Sequence, residues 1–382
     1  MVKKLYYENC DLQNFTASVL SCEAVPGGYQ VVLDQTAFYP EGGGQACDLG
    51  TLGEANVLSV QEVGEDPVHL CDRPLEVGST VSGRIDWARR FDQMQQHTGE
   101  HILSGIVHEK YGWQNVGFHV GADTVTVDFD GMIPPEALEE LELAVNRVVW
   151  ADRELQIYTP SPEELAKLSY RTKRALPWPV RIVEIPGADR CACCAVHVRR
   201  TGQVGLVKIL STVKFHEGVR MEIVCGERAL CYLSAVYEQN RQVCQAFSAK
   251  PLETGAAARS MNDRMEKEKF RAVAIQRRLF DAIASGYTGD CLHLEPDLQP
   301  GEVRELADSI ARRCGGTAAV CSRREDGAWN LCILGEKAGA LGKQLAAEFS
   351  GRGGGKPGTY QGSIQGEESQ IRACFKKWQS GL

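Results

Sequence analysis

The sequence predicts an α+β protein of several domains. Three observations carry this. The chain has 382 residues, more than one ordinary core accommodates. Its first 88 residues alternate short β-prone runs with glycine-containing turns. From Asp86 onward, helical periodicity interleaves with short strands.

The elements follow in order. TASVLSCEAV, GGYQVVLDQTAF, ANVLSVQEV and STVSGRID read as strands of a small β-barrel or sandwich over residues 1–88. In DWARRFDQMQQHTGEHILSGIVHEKYG, Phe91, Met94, Ile102, Ile106 and Val107 recur near helical spacing, and Gly112 is the expected stop. A strand (DTVTVDFD), a helix (PPEALEELELAVNRVVWADREL) and a strand (QIYTP) come next. SPEELAKL has a helix start, and PVRIVEI, AVHVRRTG and VGLVKILSTVKFHEGVRMEIVCG read as further strands. Residues 89–226 therefore form an α+β unit. Residues 227–285 read as two long helices around KPLETG, an antiparallel hairpin linker. Its stripe of Met261, Met265, Ala272, Ile275, Leu279 and Ile283 is expected to pack in a core. Residues 286–382 form a separate α/β unit in which GRGGGKPGTYQGS is a loop before a last helix.

Composition narrows the function. No apolar run reaches the length of a membrane span, and MVKKLYYENCDLQNF lacks the apolar core of a signal peptide. A cytoplasmic protein without membrane contact is expected. The 15 cysteines are an odd number, and only Cys191, Cys193 and Cys194 cluster, which suits metal ligation better than a disulfide framework. The net charge of −8 excludes a protein that coats nucleic acid by bulk charge. Within residues 171–220, however, ten Lys and Arg (among them Lys173, Arg174 and Arg220) face only Glu184, Asp189 and Glu217, ten less three or +7. Such a stretch is either a solvated basic face or a polyanion footprint, and the second is favoured here.

The chemistry gathers in two motifs. In HTGEH, His97 and His101 stand four apart on the expected helix, one turn apart on one face. In CACCAVH, Cys193 and His197 have the same spacing, in a helical or a strand-to-turn setting. One thiolate and three imidazoles suit a tetrahedral Zn2+. Cys191 and Cys194 read as packing residues. A rival reading takes HTGEH as the H-x-x-E-H motif of a zinc peptidase, with Glu100 as general base and a carboxylate from Glu139, Glu140 or Glu142 as further ligand. It leaves CACCAVH and the glycines Gly42 to Gly44 unexplained. Alone, that triplet is a tight loop or a point of close backbone approach.

Taken together, TAFYPEGGGQ followed by Asp48 and Gly50, then HTGEH, CACCAVH, GQVGLVKI and GVRMEIVCG, resemble the editing region of alanyl-tRNA synthetases. GRGGGKPGTYQGS resembles the glycine-rich loop of the DHHA1 domain at their C-terminus. The order is the family's, and the long form of the free-standing alanyl-tRNA editing proteins is the nearest pattern. With the barrel beginning at residue 1, no aminoacylation core and no ATP-dependent charging are expected. Ala195 and Val196 replace the usual Gly and Thr of the second motif.

The resemblance implies a hydrolase that removes serine or glycine from mischarged tRNA(Ala), with His97, His101, Cys193 and His197 as zinc ligands. It implies Thr98 and Gln114 as catalytic candidates, and His119, Gly43, Gly44 and Gln45 as substrate-binding candidates. Arg220, Arg352, Gly354 and Lys356 are the tRNA-binding candidates, and the C-terminal part could pair with a second copy. The function makes chemical sense: a pocket for a small side chain cannot reject one that merely adds a hydroxyl, so a second hydrolytic site is needed. A third reading is a non-catalytic RNA-binding protein whose four-ligand zinc is structural.

Overall fold

The computed structural model describes residues 1–172 and 178–381. Lys173 and Arg174 of the basic stretch lie outside the described residues. The chain divides into two compact units, Met1–Arg241 and Gln242–Leu382.

The first unit begins with a closed six-stranded barrel: β1 (Asn14–Val25), β2 (Gly28–Leu33), β3 (Gly50–Leu52), β4 (Ala55–Val63), β5 (Asp66–Cys71) and β6 (Thr80–Ile85). Their order around the barrel is β1-β2-β5-β4-β3-β6, with β6 closing onto β1. Alternating inward residues such as Val19, Val31, Leu33, Leu52, Val57 and Val60 fill it. Strand β5 escaped the sequence pattern because DPVHLC begins with Asp–Pro. His69 within it is fully buried and bonded to Thr36 Oγ1 through Nε2 (2.9 Å) and to the Val31 carbonyl through Nδ1 (3.1 Å).

Helix α1 (Trp87–Tyr111) starts where Asp86 accepts the Arg89 N–H and stops at Gly112, in the left-handed region. It is the spine of the unit. A four-stranded antiparallel sheet packs against it: β7 (Asn115–Val120), β8 (Val125–Phe129), and the hairpin Val207–Phe215 and Gly218–Cys225, whose last strand pairs with β8. Helix α2 (Leu138–Trp150) packs on both α1 and the hairpin. A three-stranded sheet of Gln156–Tyr158, Ile182–Ile185 and Asp189–Ala192 covers another side. One core unites these elements, with Met94, Ile102, Leu103 and Val107 of α1 at its centre.

Arg90 on α1 ties this layer to the barrel. It is fully buried, paired through Nε to Asp48 Oδ1 (2.7 Å) and through a second nitrogen to Oδ2, and it donates to the Cys10 and Ala37 carbonyls.

AVHVRRTG is not the expected strand. Residues 195–198 are buried in succession rather than alternately. Their amides serve the site instead of a ladder: Ala195 N–H points at Cys193 Sγ (3.4 Å) and Val198 N–H donates to Thr98 Oγ1 (3.3 Å).

Two long helices, Gly226–Phe247 and Thr254–Ala284, flank the KPLETG break. The second unit holds a five-stranded sheet, in the order Gly289–Pro296, Gly315–Arg323, Trp329–Leu334, Thr359–Ile364, Arg352–Gly354. The first two strands are parallel and the rest antiparallel. Helices Pro300–Cys314, Ala338–Glu348 and Glu368–Ser380 complete it, with one core on each face.

Two expectations are corrected here. Most of the stripe on the Thr254–Ala284 helix is not core: Met261, Met265, Ile275 and Leu279 are exposed, while Ile283 packs against a core beside buried Phe280 and Ala284. GRGGGKPGTYQGS is not a loop but a β-hairpin. Its glycines let two strands approach closely, since a Cβ on Gly353 would lie 2.4 Å from the Gln361 carbonyl oxygen.

Candidate metal centre and cleft

His97 and His101 come from the middle of α1, and Cys193 and His197 from the irregular segment beside it. Their four donor atoms all lie within 4.8 Å of one another. Cys193 Sγ is 3.6 Å from His97 Nε2 and 3.4 Å from His197 Nε2. Tetrahedral zinc with ordinary bond lengths separates sulfur and nitrogen ligands by about 3.6 Å, so the cluster has the right size.

The far side of each imidazole supports the same reading. His97 Nδ1 is 3.0 Å from Gln45 Oε1, His101 Nδ1 is 2.9 Å from Asp189 Oδ2, and His197 Nδ1 is 3.2 Å from Thr98 Oγ1. An Nδ1–H donated outward leaves each Nε2 as the lone-pair atom facing Cys193. Asp189 is in turn gripped by Arg171 through two bonds of 2.7 and 2.8 Å.

Charge is matched to ligation. Burial pushes the Cys193 thiol up, but its contacts with the imidazoles of His97, His197 and His101 hold it well below its ordinary value. Burial lowers His197 to about 3, so its imidazole is neutral. Thiolate and neutral imidazole are the forms a metal needs; His101, which burial pushes down but Asp189 and Cys193 raise well above its ordinary value, must give up a proton to bind one.

The cluster opens onto a cleft of about 1030 Å³. His97, His101 and Cys193 line it, while His197 lies behind. Gly43, Gly44, Gln114, Asn115, Phe118 and Glu100 form one wall, and Tyr158, Arg171, Thr172, Val180 and Arg181 another.

The candidates from sequence separate accordingly. Gly43 and Gly44 line the cleft as the centre of a tight turn, both at positive φ (60° and 80°), closed by paired bonds between Gly42 and Gln45. Gln45 and Thr98 are buried behind the imidazoles and are not among the cleft-lining residues. Gln114 lines the cleft and bonds His108 through Nε2 (3.0 Å). His119, on β7, is exposed and does not line it.

Arg220 is paired twice with Asp128 and stacks 3.9 Å from the centre of the Phe215 ring. The rest of the basic stretch behaves similarly. Arg171, Arg190, Arg199, Arg200 and Lys208 are all ion-paired, and Arg181 holds the Cys193 and Ala195 carbonyls. Arg171 and Arg190 pair within the stretch, and Asp11, Asp152, Glu142 and Asp128 from elsewhere meet four of its remaining charges. Arg352, Gly354 and Lys356 are exposed on the C-terminal hairpin. Sequence reasoning missed Asp189 and Asn115. Spacing to a ligand could have flagged neither, because each reaches the site only through the fold.

Comparison with known proteins agrees with the geometry. Residues 5–89 match the family described as tRNA synthetases class II (A), and residues 180–220 that described as threonyl and alanyl tRNA synthetase second additional domain. An alanyl-tRNA editing protein, Aarsd1 of Danio rerio, is 27% identical over 97% of this chain and 96% of its own length. The chain is a homologue of the alanyl-tRNA editing proteins. The alanine–tRNA ligase of Pyrococcus abyssi is 32% identical over 95% of this chain, which spans 42% of that ligase. The alanyl-tRNA editing protein Aarsd1-A of Xenopus laevis is 33% identical over 59% of this chain and 56% of its own. The matched additional-domain segment of this chain includes Cys193 and His197. No helix among the described residues is long and apolar enough to cross a membrane.

Proposed function

We propose that this protein hydrolyses the ester linking a wrong amino acid, serine or glycine, to the terminal ribose of tRNA(Ala), with Zn2+ held by His97, His101, Cys193 and His197. The observation that carries the reading is a ligand quartet of the right size opening onto a cleft of about 1030 Å³. Bound there, zinc supplies a Lewis acid that polarises an ester carbonyl or anchors the aminoacyl group.

The chain's own residues do the rest. Gln45, Thr98 and Asp189 fix the three imidazoles from behind. Gly43 and Gly44 keep side chains out of the cleft mouth, and Gln114 offers a polar group on its wall. Arg352, Gly354 and Lys356, on a DHHA1-like C-terminal unit, would meet phosphates away from the acceptor end. The proposed setting is the cytoplasm.

The peptidase reading lacks its extra ligand. Glu140 pairs with Lys110 and Glu142 with Lys208, and none of Glu139, Glu140 and Glu142 belongs to the donor cluster. A structural zinc site is favoured by its closed set of four ligands, but such a site needs no cleft over three of them. The test is release of serine from Ser-tRNA(Ala), with Ala-tRNA(Ala) as control, by the protein and by His97→Ala. Rapid serine release that the variant loses is expected. Release no faster than without protein would sink the proposal, and binding without hydrolysis would favour the structural site.

A further inference from the structure

Glu100 sits between the two ligands of HTGEH. It is only 3% exposed, yet it lines the cleft. Its hydrogen bonds are one-sided: Ser104 Oγ–H and Asn115 Nδ2–H both donate to Oε1. Among the described residues, none is found for Oε2. Glu100 also lies outside the converging donor cluster, so it is not a fifth ligand.

Among the described residues no cation is dedicated to it. Arg171 is close enough to feel its charge but is committed to Asp189 through two bonds. A buried carboxylate with neutral partners on one oxygen only is expensive in free energy until a cation joins it. Beside it, Asn115 donates Nδ2 to Glu100 Oε1 and to Ser104 Oγ (3.2 Å), and among the described residues its buried Oδ1 has no partner. The Glu100 acceptor fixes that amide's orientation, since reversing it would set two oxygens against each other. Glu100 and Asn115 both line the cleft, and among the described residues each has one oxygen without a donor. An ammonium group brings three donors and a positive charge.

We infer that Glu100 Oε2 and Asn115 Oδ1 anchor the α-ammonium of the esterified amino acid, confining the substrates to aminoacyl esters with a free α-amino group. The inference rests on the proposed deacylase reading and names the chemistry its cleft selects. It predicts rejection of esters whose amino group is blocked or replaced.

The experiment uses the full-length zinc-loaded protein with two substrates: Ser-tRNA(Ala), and tRNA(Ala) carrying the matching α-hydroxy acid, whose hydroxyl replaces the ammonium. The wild type should prefer the serine ester in kcat/KM by on the order of 30-fold, mostly through KM. Glu100→Gln, of the same shape, should raise KM for the serine ester alone and collapse the preference towards unity. An equal fall of kcat on both esters, with the preference kept, would make Glu100 a base acting on water and overturn the inference. A wild-type preference near unity would overturn it without reference to any variant. Hydrolysis of neither ester would instead fail the deacylase reading, and the anchor with it.

Discussion

His97 Nδ1 lies 3.0 Å from Oε1 of Gln45, and that one contact connects the glycine turn of the barrel to the candidate metal centre. Gly43 and Gly44 make the turn, and the turn delivers Gln45 from behind. Gln45→Ala should therefore loosen the metal rather than remove a substrate contact. A loss of about 10–100-fold in zinc affinity is expected, read by competition with a chromophoric chelator. Unchanged affinity together with a raised KM would return Gln45 to the substrate.

Arg90 and Asp48 form the buried pair between barrel and α1, at 0% and 2% side-chain exposure. Removing one partner leaves the other charged and alone. Asp48→Asn or Arg90→Met should cost about 3–5 kcal/mol of unfolding free energy, measured by urea denaturation of the full chain. A cost below 1 kcal/mol would show that the pair is not what joins the two layers.

Burial lowers His69 from its usual 6.5 to about 4, against the hydrogen bond to the Val31 carbonyl. The unfolded chain then binds the proton more readily than the folded one. The stability this neutral histidine contributes is present above pH 6.5 and falls away as pH drops towards 4, by at most about 3 kcal/mol. Unfolding midpoints at pH 7.5 and 4.5 should separate accordingly, and His69→Leu should narrow the gap. An equal gap in the variant would refute the assignment.

Arg352 and Arg220 entered together as tRNA contacts, but their settings differ. Arg220 is spent on Asp128 and Phe215, whereas Arg352 is exposed with no ion pair among the described residues. Arg352→Ala should weaken tRNA(Ala) binding and reduce the slope of log K against log salt by about 1. Arg220→Ala should leave the slope unchanged and lower thermal stability. The reverse pattern would move the tRNA track to the Asp128 strand.

Much of this protein was legible in one dimension. Periodicity and caps placed α1, since Asp86 and Gly112 act within a turn of themselves. The i, i+4 spacing put His97 and His101 on one face for the same local reason. Other features were not legible. Val196 and Val198 look like strand residues, but burial on every side and amides turned to Cys193 and Thr98 hold the segment irregular. The Met265, Ile275 and Leu279 stripe has a core's spacing without a core's burial.

By itself the sequence determined the four His and Cys residues that cluster as candidate ligands, the extent of the helix that carries two of them, and the family resemblance. Only the tertiary structure decided which polar residues stand behind the imidazoles and which face the cleft. Gln45, Asp189 and Asn115 reach the site across 52, 88 and 15 residues of chain. A side chain's partner at such separations is set by packing, and no local propensity encodes it. Glu100 shows the division within a single motif. Its place in HTGEH suggested a peptidase base, and its partners Ser104 and Asn115, brought together by α1 and β7, give it a different task.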